Sequence, residues 1–269
     1  MNEENYKEYK RTVRHILGSH MEDARLGEYI DKLRSEEVIG IMPASFYRYR
    51  PFNQYTLSEI INQHIFLSPI KNLDDKLDSK YVYTPFGGIS NPDEEGIFDP
   101  RREETKKKIA ETNKEFCDHL RIACLTQDYK NIPMWYYYAQ GHQGICIKYS
   151  IKDFNNEDIF LPVIYPSKRK KESNFKFFPT DKQKKCGAVF NSIVKDESWK
   201  FEKEWRIIQY VNDMEKHYVN WRMSEIYFGC DAYPETIKTI KNIIEKNGLK
   251  ISMHQMELST MGLTSHDIE

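Results

Sequence analysis

The stretch that decides the fold is residues 201–211, FEKEWRIIQYV, which predicts a β-strand. Side chains alternate between the two faces of a strand, so Glu202, Glu204 and Arg206 share one face and Trp205 lies on the other. Two interpretations follow from this alternation. If Trp205 points inward, the charged face is an ion-paired solvent surface. In the other interpretation, the charged face lines a cleft, where an arginine and two carboxylates tune one ionised group.

Further strands are predicted along the whole chain, which indicates one mixed sheet. These strands are predicted at residues 44–50, 65–68, 121–126, 144–149, 225–228 and 250–256. Helices are predicted at residues 56–63, 101–119, 187–195 and 234–245, with a short aromatic helical turn at 134–139. Thr56 is the expected N-cap of its helix, with Glu59 completing a capping box. The predicted fold class is therefore α+β, a mixed central sheet with flanking helices.

The N-terminal part of the chain has a different pattern. Residues 1–36 are mostly polar, with apolar positions three and four apart, and predict helix with a break at Gly18 and Ser19. We expect a helical extension over residues 1–40, suited to a protein partner, and a single α+β catalytic-like domain over residues 41–269.

Composition limits the classes of function. With 40 basic and 41 acidic residues, the net charge of −1 gives no global attraction to nucleic acid or anionic membrane. No run approaches the roughly 20 apolar residues of a membrane helix, and the N-terminus lacks an apolar signal region. The five cysteines are scattered and form no C-x-x-C pair, which favours reduced thiols in the cytoplasm over disulfides or a zinc cluster. We expect a cytoplasmic protein with no membrane segment and no metal.

The first predicted strand carries a candidate ligand-binding pattern. Arg48 and Arg50 share one of its faces, and Tyr49 lies on the other with Tyr47. An arginine here could fork onto a pyrophosphate or a ribose edge, and a tyrosine could stack on a planar ring. The alternative is a surface pair of arginines above a tyrosine-packed core. Ser68 is a candidate ligand contact or a turn residue that ends its strand.

An aromatic group occupies residues 135–142. Trp135 and Tyr138 are neighbours on a helical turn, and His142 follows closely. They form either the aromatic wall of a ligand cleft or a core plug in which His142 bonds a backbone carbonyl.

The predicted loop over residues 167–185 is basic and carries phenylalanines. This composition suits a nucleic-acid contact, but it also suits a solvated charged loop. The candidate contact residues are Lys168, Arg169, Lys170, Lys171 and Phe175.

Four segments together resemble a family of bacterial proteins of unknown function that is often met in genomic defence neighbourhoods. They are Tyr47-Arg48-Tyr49-Arg50, Leu73-Asp74-Asp75-Lys76-Leu77-Asp78, Met134-Trp135 with Tyr138-Ala139 and His142 to Ile147, and Lys195 with Trp199 and Phe201 to Arg206. In the second, Asp74 and Lys76 replace the Asn and Pro that are usual in the family.

The order of elements is also distantly similar to the plan of ADP-ribosyltransferases, including toxins that target DNA. This resemblance implies an ADP-ribosyltransferase-like fold, NAD as substrate, and a toxin or anti-phage defence effector that modifies nucleic acid or protein. The Glu-x-Glu of the late strand would be Glu202-Lys203-Glu204, with Glu204 stabilising the oxocarbenium-like transition state and Glu202 acting on the acceptor. The implied NAD-binding residues are Arg48, Tyr49, Arg50, Ser68, Trp135, Tyr138, His142 and Arg206.

Two other functions are open on the sequence. One is a non-enzymatic module that binds nucleic acid or senses a partner through the basic loop and the N-terminal helices. The other is a metal-dependent nuclease, for which Asp74, Asp75 and Asp78 would be the clustered carboxylates.

Overall fold

The computed structural model describes residues 3–18, 28, 43–73, 75, 78, 84–85, 111, 118–150, 159–165, 174–175, 189, 192–213 and 215–268. Its α-helices are α1 (Glu3–Gly18), α2 (Gln54–Asn62), α3 (Ile132–Tyr138) and α4 (Pro234–Lys246). Its strands are β1 (Ser45–Arg50), β2 (Ile65–Pro69), β3 (Thr84–Pro85), β4 (Leu120–Thr126), β5 (Ile145–Ser150), β6 (Ile159–Pro162), β7 (Asn174–Phe175), β8 (Glu204–Tyr210), β9 (His217–Val219), β10 (Met223–Phe228), β11 (Ser252–Ser259) and β12 (Gly262–Asp267). Short 3-10 helices span Ile70–Asn72 and Glu197–Glu202.

Ten of these strands form one mixed sheet, in agreement with the predicted mixed sheet and flanking helices. Its main path runs β12-β11-β10-β5-β1-β4-β2-β9, and β8 joins it by pairing with both β4 and β6. Strands β10 and β11 are parallel, and the other pairs in this sheet are antiparallel. Strands β3 and β7 form a separate two-stranded parallel ladder.

The sheet forks at β4. Strand β8 pairs with β4 along its whole length, from Leu120 to Thr126, so β1 and β2 share the other edge. Strand β1 pairs with that edge at Tyr47 and Thr126, whereas β2 pairs with it at Ile122 and Arg121. The end of β1 therefore diverges from β4 near Cys124.

Strand register assigns the side chains to two faces of the sheet. Tyr47, Thr126 and Glu204 lie opposite one another across β1, β4 and β8, so they point to one face, which we call the Glu204 face. The intervening residues point to the other, which we call the Arg48 face; there Phe46 packs against Trp205, with ring centroids 5.1 Å apart. Helices α2 and α4 contact each other, and Glu59 of α2 bonds to Arg48 on the Arg48 face.

Both faces of β8 are buried, which corrects the interpretation of a solvent-facing charged surface. Trp205 packs on Phe46 and Phe160, while Glu204 and Arg206 are only 4% and 0% exposed on the other face. The strand also begins at Glu204 and not at residue 201, because residues 197–202 form a 3-10 helix.

Local signals set the helix ends, with one correction. Helix α2 is capped by Asn53, whose side chain accepts bonds from Tyr55 N and Thr56 N, so the predicted N-cap at Thr56 is wrong. The Thr56 hydroxyl instead donates to Pro51 O at 2.7 Å, and Glu59 binds arginines of β1. Helix α4 starts at Pro234, where proline needs no amide partner.

Helix α1 ends at Gly18, where the sequence predicted a break. It is tied to the edge of the sheet by Tyr9, whose hydroxyl donates to Pro162 O at 2.9 Å, and by Tyr6, which accepts from Tyr165 N at 3.0 Å. The second predicted N-terminal helix, apart from residue 28, and most of the helix predicted at 101–119 lie outside the described residues. Of the helix predicted at 187–195, the end is wrong, because Ser192 and Ile193 form a turn and Val194 pairs with Ile164 in a β-bridge.

Candidate functional site

Five charged side chains meet on the Glu204 face, beside the centre of the sheet. We call them the Glu204 cluster: Asp78, Lys195, Glu202, Glu204 and Arg206. Each side chain is at most 7% exposed. Charged groups are almost never buried unless they are paired, so such a cluster requires a nearly complete set of internal bonds.

Arg206 supplies most of those bonds and uses all five of its N–H donors. Its Nε and Nη2 donate to Glu204 at 2.7 and 3.1 Å, and its Nη1 and Nη2 donate to Asp78 at 2.8 and 2.5 Å. The remaining Nη1 donor bonds to Ser192 O. A guanidinium has only five N–H donors, so Arg206 holds none in reserve for a phosphate. The implied role of Arg206 in binding NAD is therefore replaced by a role in positioning Glu204 and Asp78.

Lys195 bridges the two glutamates. Its Nζ donates to Glu202 Oε2 at 2.5 Å and to Glu204 Oε2 at 3.1 Å, and it lies 3.7 Å from Asp78 Oδ2. The same ammonium sits 4.9 Å from the ring centroid of Trp199. The second oxygen of Glu202 accepts a 2.5 Å bond from the Tyr138 hydroxyl. Tyr138 and Trp199 are half-buried, so they mark the side on which the cluster approaches solvent.

Backbone geometry brings Glu202 and Glu204 together although they lie in different elements. Asp196 caps the 3-10 helix Glu197–Glu202 by accepting from Ser198 N, and Lys203 ends it in the left-handed region with φ 47°. This residue redirects the chain into β8. Glu202 and Glu204 thus both reach Lys195. The two carboxylates converge as predicted, but because the chain turns at Lys203 and not because both lie on one strand.

The pKa values of the two glutamates are shifted in opposite directions. Burial, followed by the charge of Glu204, raises the pKa of Glu202 to about 7. Burial also opposes ionisation of Glu204, but Arg206 and Lys195 outweigh it and hold the pKa of Glu204 well below its usual value. At neutral pH, Glu204 is therefore a fixed anion, and Glu202 can exchange a proton.

Neighbouring groups are held in their neutral forms. Burial and the charge of Glu202 raise the pKa of Tyr138, and burial and the charge of Glu204 raise the pKa of Cys124. The Cys124 thiol hydrogen-bonds to Glu204 and lies where the sheet forks. The Tyr165 hydroxyl accepts from Glu204 N at 3.0 Å. Around the two carboxylates, the neutral donors are thus a phenol and a thiol.

Arg48 and Arg50 lie on the opposite face of the sheet from Glu204. Arg48 Nη1 donates to Glu59 Oε1 at 3.0 Å, and Arg50 Nε lies 3.2 Å from Glu59 Oε2. The Tyr149 hydroxyl donates to Glu59 Oε1 at 2.6 Å. We call these four residues the Arg48 cluster. The expected convergence of Arg50 with Glu204 is therefore wrong, because the alternation of β1 directs the two arginines away from β8's charged face.

Tyr49 and Trp135 form a packed core. Tyr49 is 6% exposed and its hydroxyl donates to Asp128 O at 2.8 Å, while Trp135 is 0% exposed and its Nε1 donates to Tyr129 O at 2.8 Å. Their rings meet edge to face, with centroids 5.1 Å apart. Neither ring has a free face for a ligand, so the core-plug alternative holds for this pair.

Neither His142 nor Ser68 reaches the carboxylates of the Glu204 cluster in any described bond. The His142 ring is parallel to Trp135 with centroids 6.4 Å apart, and its backbone has φ 66°. Its backbone N–H donates to Trp135 O, and its backbone carbonyl accepts from Asp231 N. Ser68 is half-buried and pairs with Ile122, which puts it on the Glu204 face two rows from Arg206.

Several predicted contacts lie outside the described residues. They are Lys168, Arg169, Lys170 and Lys171. Of Phe175, only the backbone is described, in its pairing with Pro85. Of the acidic run proposed for a nuclease, Asp74 lies outside the described residues and Asp78 is bonded to Arg206. Within the described part of the chain, no three His, Cys, Asp or Glu side chains are placed to hold a metal ion.

Sequence reasoning assigned no role in a site to Lys195 or Glu59, and it considered Asp78 only as part of an acidic run. Lys195 was present in the fourth segment of the family resemblance, at a fixed distance from Trp199 and Glu202. Glu59 was attributed to helix capping, and its partners became evident only with the register between α2 and β1.

The fold and the site define a mixed α/β protein with a buried ion cluster on one face of a forked sheet. A family model described as "Protein of unknown function (DUF2971)" matches residues 134–207. This segment covers Tyr138, Lys195 and the 202–206 stretch, so it contains all of the Glu204 cluster except Asp78. The comparisons with curated proteins and with solved structures gave no match. Among the described residues, no helix is long and apolar enough to cross a membrane.

Proposed function

We propose that this chain is an NAD-dependent ADP-ribosyltransferase-like enzyme, with the Glu204 cluster as its catalytic centre. The observation that carries the proposal is the different bonding of two buried glutamates that share Lys195: Arg206 also donates twice to Glu204, whereas Glu202 bonds to the neutral Tyr138 hydroxyl. Glu204 is therefore held ionised, while burial raises the pKa of Glu202 to about 7. Two carboxylates separated in this way are suited to different roles in one reaction. The acceptor would be nucleic acid or protein.

Glycosyl transfer from NAD needs both roles. When the nicotinamide–ribose bond breaks, its electron pair leaves with nicotinamide and the ribose carbon gains oxocarbenium character. A fixed anion at Glu204 would stabilise that charge more in the transition state than in the ground state. The acceptor then forms a bond to the ribose carbon and loses its proton, for which Glu202 is the base.

The surroundings of the cluster support these assignments. Arg206 and Lys195 keep Glu204 ionised and oriented, and the Tyr138 hydroxyl holds Glu202 on the side nearest solvent. The fork between β1 and β4 lies beside Cys124, whose thiol contacts Glu204. A substrate would have to approach the anion where these two strands diverge. Arg48 and Arg50 take no part in this centre, because they lie on the other face.

The test is nicotinamide release from NAD by the full chain, with single-stranded DNA, RNA or mixed protein as acceptor. Glu204→Gln should lower the rate by about 100-fold or more, the usual effect of losing one preorganised electrostatic group. Glu225→Gln is the matched control, because Glu225 is a half-buried strand glutamate on the same face, paired with Lys148 at 2.6 Å and outside the cluster. It should leave the rate unchanged.

The pH profile separates the two glutamates. In the wild type, the rate should rise with pH as Glu202 deprotonates near its pKa of about 7, and Glu202→Gln should abolish that rise. Release that is undiminished in Glu204→Gln, or no release with any acceptor, would contradict the proposal. Salt-sensitive binding of nucleic acid without release would favour the non-enzymatic alternative, and EDTA-sensitive cleavage of nucleic acid would favour the nuclease.

A further inference from the structure

The Arg48 cluster has an excess of positive charge. Within the described part of the chain, Glu59 is the one carboxylate that pairs with either arginine, so two guanidinium groups share one negative charge. Tyr149 adds a neutral donor to the same carboxylate. The Glu204 cluster is different, because three carboxylates there surround two cations and Arg206 uses every donor.

Hydrogen bonding in the Arg48 cluster is also incomplete. Arg50 Nε and Glu59 Oε2 are 3.2 Å apart, but their alignment is poor and neither atom makes a hydrogen bond with a described residue. Burial and the neighbouring charge of Arg48 lower the pKa of Arg50, so the charged form of Arg50 is disfavoured here. An incoming anion would accept a hydrogen bond from Arg50 Nε and would offset the excess positive charge of the two arginines.

We infer that the Arg48 cluster binds a phosphate group, on the sheet face opposite the Glu204 cluster. The side chains of Arg48 and Arg50 are 12% and 22% exposed, so both are held in place with a small part at the surface, and Arg50 is the more accessible of the two. Residues two apart on a strand are spaced by about 7 Å, which lets both guanidinium groups converge on one anion. The planar donor fork of arginine matches phosphate oxygens, and the negative charge of phosphate would compensate the excess of one positive charge.

The phosphate could be free or carried by a nucleotide, and the ligands of the experiment distinguish these sources. Binding of inorganic phosphate, pyrophosphate, AMP and adenosine would be measured by calorimetry on the full chain at constant ionic strength. Binding of phosphate and of AMP with equal affinity indicates recognition of the phosphate alone. Tighter binding of AMP indicates a nucleotide. Adenosine should not bind in either case.

Substitutions of Arg50 and of Glu59 should change the affinity for phosphate in opposite directions. Arg50→Gln should weaken phosphate binding about tenfold or more, the effect of one charge-assisted bond. Arg50→Lys, which keeps the charge and loses the fork, should give an intermediate loss. Glu59→Gln should tighten binding, because it removes the carboxylate that competes for the guanidinium groups. Arg11→Gln is the control, since Arg11 is an arginine on α1 with a side chain that is 81% exposed.

Three results would overturn the inference: no phosphate binding by the wild type, unchanged binding by folded Arg50→Gln, or equal weakening by Glu59→Gln and Arg50→Gln. Equal weakening would mean that the cluster only maintains the fold. Circular dichroism would establish folding, and Arg50→Lys decides the case if Arg50→Gln does not fold. Glu204→Gln should bind phosphate normally, so failure here and failure of the proposed catalysis are distinguishable.

Discussion

Replacing Arg206 by methionine is the most direct test of the Glu204 cluster, because it removes five hydrogen bonds from one buried position. Asp78 and Glu204 would each lose two charge-assisted bonds while their side chains stay at most 4% exposed. Breaking a buried ion pair on one side costs about 3–5 kcal/mol, because it leaves an uncompensated charge. Domains of roughly this size lose about 2–4 °C in melting temperature per kcal/mol. We therefore expect the Arg206→Met variant to melt roughly 6–20 °C below the wild type.

Arg121→Met is the matched control. Arg121 is also buried, at 2% exposure, but its guanidinium donates to backbone carbonyls, at 2.6 Å to Asp118 O and 3.2 Å to Leu120 O. Replacing Arg121 removes the same side-chain atoms as replacing Arg206, but it leaves the pairing of Asp78 and Glu204 intact. Urea unfolding, followed by tryptophan fluorescence, would compare the two variants with the wild type. The loss should be clearly larger for Arg206→Met.

The dependence of these losses on pH identifies their origin. The folded pKa of Glu204 is depressed, so its pairing adds stability that is present above the unfolded value of about 4.5 and is lost as pH falls. Arg206→Met removes much of that contribution, so its deficit relative to the wild type should shrink as the pH falls below about 4.5. The deficit of Arg121→Met should change less with pH, because the hydrogen bonds described for Arg121 go to carbonyls and its charge is a minor cause of the lowered pKa of exposed Asp213. Equal losses in the two variants, or a loss by Arg206→Met that does not change with pH, would refute the reasoning.

Two further predictions concern other parts of the structure. The folded pKa of Glu202 is raised to about 7, so the native state binds a proton that the unfolded state has already released. The free energy of unfolding of the wild type should therefore fall as pH rises from 4.5 to 7. Urea unfolding at several pH values should show that Glu202→Gln lacks this dependence. Gly229→Ala would put a methyl carbon 1.9 Å from His142 O and should lower the free energy of unfolding by several kcal/mol. Gly141→Ala has open space around it and should cost only about 1 kcal/mol, because of its φ of +59°. Calorimetric melting of both variants checks these values.

The main strands could be predicted from the sequence because their signals are local. Apolar and aromatic alternation, together with Pro51, marks β1, and glycines mark the ends of β5 and β10. Strands β3, β6, β7, β9 and β12 were missed. The first four have only two to four residues each, and the partly exposed β12 carries polar residues that give little alternation.

Partners of the charged residues could not be predicted, because they depend on strand register. Alternation alone puts Arg48 and Arg50 together, and Glu204 with Arg206. It does not tell which face of β1 continues into which face of β8. That information comes from a single pairing, Tyr47 with Thr126, followed by Thr126 with Glu204. A shift of one residue in that pairing would have moved the arginines of β1 to the Glu204 face.

The Glu204 cluster has an excess of negative groups and the Arg48 cluster has an excess of positive groups. This difference explains why the two clusters would have separate functions. In the Glu204 cluster, the ionised carboxylates exceed the cations by one, and the raised pKa of Glu202 lets a proton balance that excess near neutral pH. In the Arg48 cluster the cations exceed the carboxylates by one, and arginine does not release its proton at this pH. The first imbalance can therefore be balanced by proton transfer, which is the property that catalysis needs, while the second can be balanced only by an incoming anion.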